Sequence, residues 1–144
     1  MQFFLLLFFT INLYAAIWGG KPERIAAAIF VPGFLFTTLV ASPLAQRFGN
    51  VEVGVLLVDM AMLIAFVTMA LYAERFWPLW MSAMQVIQVI SHLPIIFIPE
   101  LLPQAYGAVV VIWSYPMLFL LAIGTWRHQQ RLRKFGADRS WSSS

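Results

Sequence analysis

Asp59, Gln85, Gln88 and His92 are the side chains of this sequence best suited to chemistry. A carboxylate and an imidazole can share a proton near neutral pH, and amides can bridge or orient them. All four lie inside runs that otherwise read as lipid-soluble. Asp59 falls in "VEVGVLLVDMAMLIAFVTMALY" and the others in "WPLWMSAMQVIQVISHLPIIFI". An ionised side chain near the centre of a membrane span costs about 2.5–3.5 kcal/mol on insertion scales, so it is rare and usually paired. Asp59 is the only carboxylate well inside any apolar run. It needs a partner.

Helical projection at about 100° per residue puts Gln85, Gln88 and His92 within roughly 60° of one another, with Ser82 and Ser91 beside them. Such a stripe turns toward other helices rather than lipid. If the two runs are adjacent antiparallel spans, Asp59 lies roughly 12 Å and His92 roughly 9 Å below the same surface, at about 1.5 Å per residue. The sequence therefore predicts a buried Asp59–His92 pair, with Gln88 able to bridge it. The pair can serve as a clamp between helices, as a proton relay or ion site, or as a cofactor ligand.

The elements that would position these groups follow from composition. Of 144 residues, 62% are hydrophobic and 10% charged, and the mean hydropathy is +0.84. Soluble domains carry roughly 45–50% apolar and about 25% charged residues. The chain reads as an all-α integral membrane bundle of five transmembrane helices over about 3–18, 25–45, 51–72, 77–98 and 105–126, each near the roughly 17–25 residues a span needs. Short breaks force alternating direction. With the C-terminus cytoplasmic, Lys21, Arg24, Arg75, Arg127, Arg131, Arg133, Lys134 and Arg139 lie inside and Arg47 alone outside, as the positive-inside bias expects. The N-terminus is then outside. Trp18, Trp77, Trp80 and Trp126 fall at the cytoplasmic ends of their spans, where indoles form belts. Trp113 is placed within the bundle.

The net charge of +3 and a pI near 9.7 reflect these topogenic cations, so nucleic acid is not expected as a partner. There is no cysteine, which excludes disulfides and thiolate chemistry. The first run has no charged region before it, and "AAIWGG" is not a small-x-small cleavage site, so it is expected to be retained. In "GGKPER", Gly19 and Gly20 suit a helix stop, Pro22 a helix start and Glu23 its positive dipole end. Pro32, Pro94 and Pro116 predict kinks within spans. Asn12 is expected to reach another helix.

After the last span, "RHQQRLRK" continues the helix. It carries a basic cytoplasmic tail over 127–144, whose Arg127, Arg131, Arg133 and Lys134 would meet anionic lipid or an acidic partner. No serine has a histidine and carboxylate at triad spacing, and no HExxH or phosphate-binding glycine loop is present. No cofactor is expected. His92 and His128 lie at opposite faces, so one chain cannot give a haem two imidazoles; a single axial ligand is the alternative left open.

The segments "GGKPER", "ERFWPLWMSAMQ", "ISHL" and "IGTWRHQQR" resemble short multi-span proteins of alphaproteobacteria, the sphingomonads especially. The resemblance covers most of the chain after Gly19. It implies a bacterial cytoplasmic (inner) membrane and carries over no catalytic residue. The tryptophan-rich sensory proteins have a similar size, but their "WxPP" segment is absent here. The expected role is non-enzymatic: an accessory or structural subunit of a membrane complex, or a homo-oligomer, acting through helix–helix association. The alternative is a small transporter or proton-coupled carrier using Asp59, Gln85, Gln88 and His92.

Overall fold

The computed structural model describes residues 2–41, 53–93 and 112–138. These residues form five helices: α1 (Gln2–Trp18), α2 (Lys21–Val40), α3 (Val53–Tyr72), α4 (Trp77–Ile90) and α5 (Ser114–Phe135), with no strand among them. Two of the five, α2 and α3, are long and apolar enough to cross a membrane, with 18-residue windows of mean hydropathy 1.5 and 2.3. Helix α1 is apolar but has 17 residues.

Local chemistry explains the boundaries. The Gly19 N–H donates to Ala15 O at 2.9 Å, and the α1 carbonyls beyond it are capped by Arg24, whose Nε reaches Gly19 O at 3.0 Å and Nη2 reaches Ile17 O at 3.3 Å. Gly20 then caps α2, with Pro22 and Glu23 in its first turn. Pro78 does the same service in α4. Helix α5 ends at Gly136, whose φ of 71° is the left-handed conformation that reverses the chain and lets its N–H bond Leu132 O. Pro32 lies inside α2, as expected for a span. Pro116 differs: it sits in the first turn of α5, where a missing N–H breaks no helix bond. Pro94 lies outside the described residues.

Helix α4 stops at Ile90, and the chain tightens through Ser91, His92 and Leu93, with His92 N–H to Val89 O at 3.2 Å. Within the fourth apolar run the described residues are helical over Trp77–Ile90, 14 residues. The basic segment does continue α5, to Phe135.

The most extensive packing joins α3 to α4 and α2 to α3, while α5 closes the ring between α4 and α1 and also touches α2. Gln129 of α5 bonds the Trp18 carbonyl of α1, and Trp77 of α4 bonds Glu23 of α2. These contacts put the C-terminus of α1, the N-termini of α2 and α4 and the C-terminal part of α5 at one end, so successive helices from α1 to α4 alternate in direction. The core is built from Phe8, Phe30, Phe66, Met81, Leu118 and Leu121, with Ala15, Ala26 and Ala27 allowing close approach of the backbones. The Phe30 and Phe66 rings meet at 5.1 Å across α2 and α3. Every described helix also presents large apolar side chains outward, among them Phe3, Leu39, Leu71, Leu79 and Phe119.

Candidate functional site

Helices α3 and α4 bring Asp59, Gln85 and His92 together. Asp59 Oδ2 lies 2.9 Å from His92 Nε2. Gln85 Nε2 donates to Asp59 Oδ1 at 3.3 Å and to the Asp59 carbonyl at 3.1 Å. All three are buried, with exposures of 3%, 1% and 1% for Asp59, Gln85 and His92. With the carboxylate ionised, the shared proton sits on Nε2, and each carboxylate oxygen then accepts one hydrogen bond from α4 or the turn that follows it. The tight turn at Ser91–Leu93 is what swings His92 onto Asp59.

The amide that reaches the carboxylate is that of Gln85, not Gln88, and both of its bonds go to Asp59 rather than spanning from Asp59 to His92. Gln88 lies on the same stripe one turn away, and its Oε1 is buried without a hydrogen-bond partner. Ser82 and Ser91 donate to the Pro78 and Ile87 carbonyls of their own helix, at 2.9 and 2.8 Å, the ordinary behaviour of helical serines. Asn12 likewise turns inward on its own helix: Nδ2 donates to Phe8 O at 2.8 Å, and Oδ1 is buried without a partner. The expected reach to another helix is not made, because the i−4 carbonyl competes for the same donor.

A second polar region occupies the other end of the bundle. Glu23, 1% exposed, accepts a hydrogen bond from Trp77 Nε1 at 3.2 Å, while its Oε2 is buried without a partner. Trp77 is thereby drawn inward over Gly124, where an added Cβ would stand 3.1 Å from the indole. Only Trp18, Trp80 and Trp126 of the expected belt face outward, at 51%, 63% and 54% exposure. Next to this pair, Asp138 folds back beyond the Gly136 turn. It receives His128 Nδ1 at 2.5 Å, Arg131 Nε at 2.7 Å and the Arg75 guanidinium. Burial alone would raise the Asp138 pKa, but the hydrogen bonds from Arg131 and His128 and the charges of Arg75 and Arg131 outweigh it and hold the carboxyl below its usual range. Gly20 links the two sets. A Cβ there would come within 2.8 Å of His128 Cε1 and 3.0 Å of Glu23 Oε2.

Sequence reasoning missed this second region. Its members, Glu23, Trp77, His128 and Asp138, are scattered across the chain, and the only clue was that each fell near the same proposed membrane face. Of the basic tail, Arg127, Arg133 and Lys134 are exposed and Arg131 is held by Asp138. Between the two regions lie Phe66, Met81 and Leu121, all with 0% exposure. Phe66 is about 10 Å along α3 from Asp59 at the usual helical rise. Among the described residues, no group of three or more His, Asp or Glu is placed to hold a metal ion.

Chemically, the Asp59 constellation can hold a proton and lock two helices. No family model matches the chain, and comparison with curated proteins and with solved structures gives no match either.

Proposed function

We propose that this chain is a small, non-enzymatic integral membrane protein of the bacterial inner membrane that works by helix–helix association, as an accessory subunit or a homo-oligomer. On this reading five spans cross the bilayer, with the N-terminus outside and the C-terminus in the cytoplasm. One observation carries it. Asp59 of α3, Gln85 of α4 and His92 just beyond α4 bond one another in the interior, while the outward surface of every described helix is set with side chains such as Leu71 and Phe3, 74% and 72% exposed. A water-facing fold does not leave apolar surface of that extent open. A bundle whose exterior is apolar and whose buried Asp59 carboxylate is bonded inside offers its helix faces to lipid and to other helices.

The test is purification in a gentle detergent followed by mass measurement of the intact particle. Copurifying subunits or a defined oligomer support association; an isolated, pigment-free monomer overturns it. Because the chain lacks cysteine, single-cysteine accessibility mapping reads the topology directly. An even number of crossings would contradict the orientation.

A second reading, a proton-coupled carrier using Asp59, Gln85, Gln88 and His92, is favoured by the unpartnered Gln88 Oε1 on the same stripe as the buried pair. Such an acceptor could take a donor from a passing ligand. Proton or substrate flux in liposomes that disappears in Asp59→Asn would support it.

A further inference from the structure

The outer face of the end of α5 carries a concavity of about 210 Å³ lined by Arg127, Gln130, Arg131, Lys134 and Phe135. We propose that it binds the phosphate of an anionic phospholipid headgroup. The proposal rests on the membrane reading above and gives that surface a ligand.

Level is the first argument. Trp18, Trp80 and Trp126 face outward at this end of the bundle, and indoles settle at the headgroup boundary. Arg127 follows Trp126 directly, and Lys134 lies about 12 Å beyond Trp126 at the helical rise. The concavity therefore begins at the depth where lipid phosphates lie.

Chemistry is the second. Arg127, Arg131 and Lys134 stand at spacings of four and three, so one helix face gathers three cations. Asp138 answers only part of that charge, since it also bonds Arg75 and His128. It holds Arg131 by Nε, which fixes the guanidinium, while Arg131 Nη2 is buried without an acceptor. A guanidinium held this way retains donors for a phosphate oxygen, and a lysine ammonium adds a point charge. Lys134 Nζ lies 5.3 Å above the ring of Phe135, itself 68% exposed, so an apolar rim adjoins the charged floor. A headgroup that joins a phosphate to acyl chains suits both surfaces.

The experiment uses the full chain in detergent with equimolar phosphatidylglycerol and phosphatidylcholine, and counts retained lipid by native mass spectrometry. Preferential retention of phosphatidylglycerol is expected. Arg127→Gln and Lys134→Gln should each weaken it roughly fivefold, in line with about 1 kcal/mol per cation near an anionic surface. Lys21→Gln, which removes an exposed charge at the same end outside the concavity, should change it less than twofold. Equal losses in all three variants would reduce the effect to diffuse attraction and overturn the site. So would equal retention of the two lipids. Displacement by millimolar inorganic phosphate, with the same dependence on Arg127 and Lys134, would reassign the concavity to a soluble anion. Alkaline carbonate extraction separates the underlying failure: a chain that washes off vesicles refutes membrane insertion, whereas one that stays but shows no lipid preference refutes only this site.

Discussion

Asp59 and Asp138 make an instructive pair, since each is a buried aspartate bonded to a histidine, and their side chains are only 5% and 4% exposed. Their surroundings differ. Asp59 takes its donors from an amide and an imidazole on one neighbouring segment, deep between α3 and α4. Asp138 sits at the end of the bundle with two guanidinium groups as well as an imidazole. The first charge depends on every partner it has. The second has partners in reserve, and water lies close by. Depth and redundancy, rather than the identity of the pair, should decide how much each is worth to the fold.

Removing His92 is the severest way to test that contrast. His92→Leu leaves a buried carboxylate with the Gln85 amide as its remaining described donor and should destabilise the bundle by about 3–5 kcal/mol. Unfolding by denaturing detergent would measure it. Replacing both residues, Asp59→Leu with His92→Leu, should recover much of the loss, because no unpaired charge remains. A single variant as mild as those at Asp138 would erase the distinction.

Gly20→Ala probes the other end by crowding. Its methyl would press on His128 and on Glu23 together, and overpacking of this kind costs about 1–3 kcal/mol. The same unfolding assay reads it. Arg75→Gln should cost less, under about 1 kcal/mol, because Arg131 and His128 still hold Asp138 near water.

The smallest effect is with pH. The folded Asp138 pKa lies below its ordinary value of 3.8. Its stabilising contribution is therefore complete above that value and is lost as pH falls through the lower folded value. Hydrogen exchange across 131–138 should stay slow from neutral pH down to that window and quicken only below it, after correction for intrinsic rates.

How much of this could be read from sequence varies along the chain. The helix stop at Gly19 and start at Pro22 were legible because glycine and proline act on the local backbone. The meeting of Asp59 with His92 was legible too, since two short-looped antiparallel helices fix relative depth and a lone carboxylate needs a donor. Which glutamine would reach the carboxylate was not. Gln85 and Gln88 share a stripe, and the choice turns on how α4 is rotated against α3, a packing result. Trp77 shows the same limit: an indole at a helix start reads as an interfacial anchor until a distant glutamate claims its N–H. Asp138 was invisible for a further reason, as only the turn at Gly136 sends it back onto α5.

The layer formed by Phe66, Met81 and Leu121 has a consequence for proton traffic. Hopping needs successive donors and acceptors at about 2.7–3.2 Å. A phenyl ring, a thioether and an isobutyl group supply none, and Phe66 already stands about 10 Å along α3 from Asp59. The two aspartate–histidine couples are thus separated by a mainly apolar layer, whose buried hydroxyls, Ser82 and Thr125, are committed to carbonyls of their own helices. Any current between them would require α3 and α4 to part and let water through.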